Sequence, residues 1–88
     1  MLLSKLNSSL TKLGYNALGC EKVEFSNGLI LECALRIIVN GFNEYITDES
    51  FEGTRYITCW NHQGDVKWSF NATKMSEYQI IFLIGRYF

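Results

Sequence analysis

The first residues of the chain place leucine at helical spacing. The apolar positions are Leu2 or Leu3, Leu6, Leu10 and Leu13. Polar residues fill the positions between them, and Gly14 follows where a helix often ends. The pattern predicts an amphipathic helix over residues 2–13, which lays its leucine stripe on a sheet.

The apolar period changes to two in the centre of the chain, which indicates strands. Asn27-Gly28 is a strong hairpin signal. A three-residue loop, residues 26–28, with Gly28 in a left-handed bulge best separates apolar from polar side chains between the two faces. It pairs Phe25 with Leu29 and Val23 with Leu31. The expected inward row is Val23, Phe25, Leu29, Leu31, Cys33, Leu35 and Ile37.

A second signal, Asn40-Gly41, fits a two-residue turn. That turn pairs Val39 with Phe42, Leu35 with Ile46 and Arg36 with Tyr45. Residues 48–53, DESFEG, are predicted to form an acidic loop that closes a three-stranded meander.

The segment TCWNHQGDVKW predicts another hairpin, with residues 61–64 at its turn. Side-chain alternation divides its residues between two faces. One face would carry Ile57, Cys59, Val66, Trp68 and Phe70, and the other Tyr56, Thr58, Trp60, Asp65, Lys67 and Ser69. His62 would lie at the turn.

The last segment fits either a strand or a helix, because its apolar run is short. Ser76 with Gln79 resembles a capping box and Gly85 can end a helix, so we favour a buried helix over residues 72–84. The complete pattern predicts one α+β domain over residues 1–88. It has an N-terminal amphipathic helix, a five-stranded antiparallel sheet made of a three-stranded meander plus a hairpin, and a C-terminal helix.

Composition limits the classes of partner and the compartment. The 88 residues carry a formal charge of -1 and are 19% charged, without the basic excess that is typical of nucleic-acid binding. The longest apolar run, residues 80–84, is too short to cross a membrane. Three widely spaced cysteines favour reduced thiols in a cytoplasm. Residue types with AT-rich codons number 33, against 13 for glycine, alanine, arginine and proline, which suggests a phage or mobile-element origin.

Reactive residue types are dispersed by the predicted sheet. A small zinc site is one alternative, because Cys20, Cys33, Cys59 and His62 supply the ligand types of a Cys3His set. The cysteines do not occur as close pairs, however, and two of them fall in inward rows, so we favour core thiols. We therefore expect no metal, no cofactor and no enzymatic activity.

Aromatic side chains on one sheet face suggest a binding surface. Trp60, Tyr45 and Tyr56 are the candidate anchors, since tyrosine and tryptophan dominate interface hot spots. Asp48, Glu49 and Glu52 could steer a basic partner. The function predicted from these residues is that of an inhibitor or adaptor that occludes another protein, with a homodimer as one form of partner. The alternative use of the same aromatics is to stack single-stranded nucleic acid.

Overall fold

A computed structural model describes residues 2–88, and Met1 lies outside the described residues. Its elements are α1 (Leu2–Lys12), β1 (Asn16–Glu24), β2 (Ile30–Val39), β3 (Phe42–Phe51), β4 (Thr54–Trp60), β5 (Val66–Asn71) and α2 (Glu77–Tyr87). The strands form one antiparallel sheet in the order β1-β2-β3-β4-β5. The predicted α+β class, with a helix at each end and five strands between them, is confirmed.

Both helices pack on the same face of the sheet and enclose the larger core. Helix α1 lies over β1, β2 and β3, and α2 lies beside α1. At the other edge of this layer, Trp68 of β5 stacks on Tyr87 of α2 with ring centroids 4.4 Å apart. The helix-side core contains Leu2, Leu3, Leu6, Leu10, Leu35, Ile37, Ile46, Ile57, Cys59, Ala72, Ile80 and Ile84.

Two of the predicted turns are confirmed in register. At the first hairpin, the backbone amide of Phe25 donates to the carbonyl of Leu29 at 2.9 Å, and Gly28 takes the left-handed conformation with φ of 86°. At the second, Val39 pairs with Phe42 and Arg36 pairs with Tyr45, as expected for a turn at Asn40-Gly41.

The first hairpin does not keep its apolar row on the helix side. Glu21 pairs with Ala34 but Val23 pairs with Leu31, so β2 contains one extra residue between these two pairs. This bulge changes the side-chain alternation, and the hairpin tip turns its apolar residues to the opposite face. There Val23, Leu31, Ala34 and Tyr45 form a second cluster with Phe25, Leu29 and Trp60, which we call the tip core. The predicted inward row was therefore wrong beyond the bulge, and Cys33 is exposed.

The predicted acidic loop was also wrong. Strand β3 continues to Phe51 and pairs with β4 through a two-residue turn at Glu52-Gly53. Both turn residues have positive φ, 51° and 78°, as a tight hairpin turn requires. Asp48 is consequently a strand residue, which pairs with Ile57.

The β4–β5 hairpin agrees with the prediction except next to its turn. Cys59 pairs with Trp68 and Ile57 with Phe70, as expected. A register shift then places Val66 opposite Trp60, and the side chain of Val66 is 53% exposed instead of inward. The same shift lets Lys67 reach the helix side, where its ammonium group bonds Glu44.

Helix α2 begins five residues later than predicted, because residues 72–75 have other partners. The amide of Ala72 extends the sheet by donating to the carbonyl of Arg55 at 2.8 Å. The side chain of Asn71 accepts from the amide of Thr73 at 3.0 Å, which forms a local turn. Gly85 does not end the helix, which continues to Tyr87.

Candidate functional site

Helix α2 presents apolar side chains on two opposite sides. Ile80 and Ile84 are fully buried in the helix-side core, whereas Tyr78 is 84% exposed and Phe82 is 66% exposed. Residues four apart share one helix face, so Tyr78 and Phe82 form a ridge on the side that points away from the core. A helix that is apolar all round is normally covered on every side. The outer side of α2 therefore has the character of an interface.

The start of α2 is fixed by side-chain bonds that also set which side faces outward. The Ser76 hydroxyl accepts from the amide of Gln79 at 3.2 Å, and the Gln79 side chain accepts from the amide of Ser76 at 2.9 Å. Lys5 of α1 donates to Glu77 at 2.7 Å, and this hydrogen bond lowers the pKa of the Glu77 carboxyl. These contacts join α2 to α1 and keep the Tyr78–Phe82 ridge outside.

Two grooves run beside the Tyr78–Phe82 ridge. The larger has a volume of about 530 Å³ and is lined by Lys74, Met75, Tyr78, Gln79, Phe82 and Leu83. The smaller, about 270 Å³, lies on the α1 side and is lined by Ser9, Tyr78, Ile81 and Phe82. Because both grooves share the two aromatic rings, the surface alternates groove, ridge and groove.

Gly85 continues the ridge by one further turn. It lies seven residues after Tyr78, on the same side of the helix, and a Cβ at this position would meet nothing within 4 Å. Glycine within a helix costs about 1 kcal/mol relative to alanine. No contact inside the described chain explains that cost, and the missing side chain leaves the helix backbone accessible from outside.

The charges of the chain are separated between the helices and the sheet. The helical segments, residues 2–15 and 72–88, contain Lys5, Lys12, Lys74 and Arg86 against Glu77, a formal charge of +3. Residues 16–71 contain four basic and eight acidic residues, a formal charge of -4. Lys74 and Arg86 are both exposed and lie at opposite ends of the Tyr78–Phe82 ridge. The ridge is thus apolar in the centre and basic at its ends.

The aromatic anchors predicted from the sequence are not brought together at the surface. Tyr45 is only 8% exposed, and Phe25 of the hairpin tip packs edge-on against it with ring centroids 5.5 Å apart. Trp60 is half-buried and donates its indole N–H to the hydroxyl of Thr47 at 3.0 Å. Tyr56, at 42%, is the one exposed ring of the three. The bulge in β2 causes this difference, because it folds the hairpin tip over Tyr45 and Trp60.

The predicted acidic side chains have separate environments. Asp48 accepts two hydrogen bonds from the guanidinium of Arg55, at 2.7 and 2.6 Å, and this contact raises the pKa of Arg55. Glu49 lies opposite Tyr56 in the sheet, and Glu52 is in the β3–β4 turn. Asp48 is therefore held in an ion pair, and Glu49 and Glu52 are the exposed members of the group.

The cysteines and the histidine lie in three places. Cys59 is buried in the helix-side core, and burial raises the pKa of its thiol to about 12. Cys20 and Cys33 are exposed on β1 and β2. Partial burial, and then a hydrogen bond that the Cys20 thiol donates to Cys33, raise the pKa of Cys20 to about 11. His62 stacks on Phe42 with ring centroids 4.9 Å apart. Within residues 2–88, no three His, Cys, Asp or Glu side chains are grouped so as to hold a metal ion.

A third groove, of about 340 Å³, surrounds the ion pair between Glu44 and Lys67. It is lined by Val39, Asn40, Phe42, Glu44, Asn61, His62 and Lys67. The Glu44 side chain is only 9% exposed, and its hydrogen bond with Lys67 raises the pKa of Lys67. Each charge is satisfied by the other, so the groove offers no free ionised group of this pair to a ligand.

The sequence analysis did not select Tyr78 and Phe82, whose exposure makes them candidate binding residues. The signal was present: the capping box fixes a helix, and the run Tyr-Gln-Ile-Ile-Phe-Leu-Ile then puts apolar residues on all of its sides. None of the helices in residues 2–88 combines the length and the apolarity needed to cross a bilayer. No protein-family model, curated protein sequence or solved structure matches this chain, so its function has to be inferred from the geometry of its surface.

Proposed function

We propose that this chain is a non-enzymatic protein-binding module whose contact surface is the outer side of α2. The observation that carries the proposal is the exposure of Tyr78 and Phe82, 84% and 66%, next to each other on a helix whose opposite side is core. Large apolar groups in one exposed patch are characteristic of interaction sites. Aromatic side chains are also the usual anchors of protein interfaces.

The non-enzymatic part of the proposal is supported by three carboxylates that are already held in ion pairs. Glu44 bonds Lys67, Asp48 bonds Arg55, and Glu77 bonds Lys5. Groups held in such pairs stabilise the fold and are not free to exchange protons with a substrate. The mechanism we propose is steric: the module covers an apolar segment of its partner, as an inhibitor or an adaptor would.

The setting in which it acts is part of the same proposal. Residue types with AT-rich codons, 33 of 88, support a phage or mobile-element origin. Three cysteines without a disulfide bond support action in a reducing cytoplasm.

The proposal is tested with a synthetic helical peptide of about 14 residues. Its leucines follow the spacing i, i+3, i+4 and i+7, and its other side chains are uncharged. The wild-type protein is expected to bind this peptide saturably, as measured by fluorescence anisotropy. A Tyr78→Ser, Phe82→Ser variant should bind at least about tenfold more weakly, since truncating hot-spot residues typically costs that much or more.

The matched control removes two exposed aromatic rings from the sheet instead. Phe51 is 70% exposed and Tyr56 is 42% exposed, so a Phe51→Ser, Tyr56→Ser variant loses similar groups at another site. Its affinity should equal that of the wild type. Loss of binding in the control alone, or absence of saturable binding in the wild type, would overturn the proposal.

A further inference from the structure

The shape of the outer side of α2 indicates the secondary structure of the partner segment. The Tyr78–Phe82 ridge stands between grooves of about 530 and 270 Å³. Helices pack by inserting the side-chain ridges of one into the grooves of the other. Gly85 adds a place where a second backbone can approach closely, because no atom lies within 4 Å of its absent Cβ. This arrangement of ridge and grooves fits a helix better than an extended strand. A strand would bind by hydrogen bonds to a free sheet edge, and the outer side of a helix does not offer one.

The charges at the ends of the ridge indicate which charges the partner should carry. Lys74 and Arg86 lie at the two ends of the ridge, and the acidic residue nearest to it, Glu77, is already bonded to Lys5. A partner with acidic side chains at both ends of its contact segment would meet both basic groups. Complementary charges at the rim of an interface speed association and select the partner.

A second copy of this chain fits the charges poorly. If two α2 helices met in parallel, Lys74 would face Lys74 and Arg86 would face Arg86. If they met antiparallel, Lys74 of each copy would face Arg86 of the other. Every direction of self-pairing therefore places like charges together, which disfavours the pair.

Given the proposed function, on which this inference rests, we infer that the partner segment is an amphipathic helix of another protein with acidic residues flanking its apolar stripe. Its apolar side chains lie in the two grooves beside Tyr78 and Phe82. Its acidic side chains contact Lys74 at one end and Arg86 at the other.

The test compares three peptides with the same leucine stripe. One carries glutamates at both flanks, one carries lysines there, and the third is the uncharged peptide described above. At low salt, the glutamate peptide should bind the wild-type protein roughly three- to thirtyfold more tightly than the uncharged one, as expected from two exposed ion pairs. The lysine peptide should bind more weakly than the uncharged one, and high salt should reduce both differences.

A Lys74→Glu, Arg86→Glu variant provides the reciprocal measurement. Both side chains are exposed, so their replacement should leave the fold unchanged. The variant should prefer the lysine peptide and bind the uncharged peptide as the wild type does. This exchange of preference would assign the selectivity to these two residues.

The outcomes separate this inference from the proposed function. Equal binding of the three peptides, still lost in the Tyr78→Ser, Phe82→Ser variant, would overturn the acidic partner and leave the protein-binding role standing. Two further results would also overturn the inference. One is tighter binding to phosphatidylglycerol vesicles than to any peptide, and the other is a dimer in sedimentation that the same variant abolishes.

Discussion

Gly64 marks the point where the tips of two hairpins meet. It has φ of 90°, and a Cβ on it would lie 3.0 Å from the ring of Phe25 and 3.2 Å from the side-chain amide of Asn27. Gly64→Ala should therefore suffer both backbone strain and a clash. We expect a loss of about 2–4 kcal/mol in the free energy of unfolding, from a left-handed residue and from overpacking. Urea denaturation measures it.

Gly53 is the matched control for that substitution. It also has positive φ, 78°, but no atom lies within 4 Å of where its Cβ would be. Gly53→Ala should lose only the backbone part, about 1–2 kcal/mol. If both variants lost the same amount, the β4–β5 turn would not be packed against the hairpin tip in solution.

Trp60 shows how far side-chain alternation can predict a residue's environment. Alternation correctly places Trp60 and Cys59 on opposite faces of β4, and Cys59 is buried in the helix-side core. It does not show that another part of the chain covers Trp60. That covering depends on the bulge in β2, which is one extra residue without a sequence signature of its own.

Helix α2 begins with a complete capping box. Ser76 and Gln79 bond each other's backbone amides at 3.2 and 2.9 Å. Ser76→Ala should therefore destabilise the protein by about 1 kcal/mol, the usual cost of losing an N-cap. Chemical denaturation, followed by far-ultraviolet circular dichroism, measures this loss.

Ser8 of α1 provides the control. It is an exposed serine whose hydroxyl donates to the carbonyl of Ser4 in its own helix, at 3.2 Å. Ser8→Ala removes a hydroxyl without removing a cap, and alanine has the higher helix propensity. We expect no loss of stability. A loss equal to that of Ser76→Ala would show that the capping box does not stabilise α2.

Hairpins were predictable from the sequence where the two turn residues favour the backbone conformation that the turn requires. Asn27-Gly28 and Asn40-Gly41 favour positive φ, and both hairpins have the expected register next to these turns. Glu52-Gly53 makes an equally tight turn, but glutamate rarely takes positive φ, so the surrounding charges suggested a loop. The start of α2 was misplaced because Asn71 and Thr73, which can cap helices, form a turn here instead.

At the scale of the whole molecule, the fold separates charge as well as polarity. The helical segments carry +3 and the residues between them carry -4, which together give the chain its net charge of -1. Total composition hides this separation, because the opposite charges nearly cancel. Because both helices pack on one face of the sheet, the positive charge of the helical segments lies together on that side of the molecule. For this reason, the basic ends of the α2 ridge could not be identified from composition.

The candidate site was predictable only in part for a related reason. The sequence indicates a helix near the C-terminal end and an excess of aromatic residues, and both are present. Which aromatics are exposed depends on what covers each face. Tyr45 and Trp60 are covered by the hairpin tip, whereas Tyr78 and Phe82 are left uncovered.

The central claim is that α2 has one apolar side that holds the fold and another that does not. Ile84 is fully buried and Phe82 is 66% exposed, and they are two residues apart in the same helix. The most direct test compares the free energies of unfolding of Ile84→Ala and Phe82→Ala in urea. We predict a loss of about 2–5 kcal/mol for Ile84→Ala, as for other buried isoleucines, and less than about 1 kcal/mol for Phe82→Ala. An equal or greater loss for Phe82→Ala would mean that the ridge is part of the core, and would contradict the account.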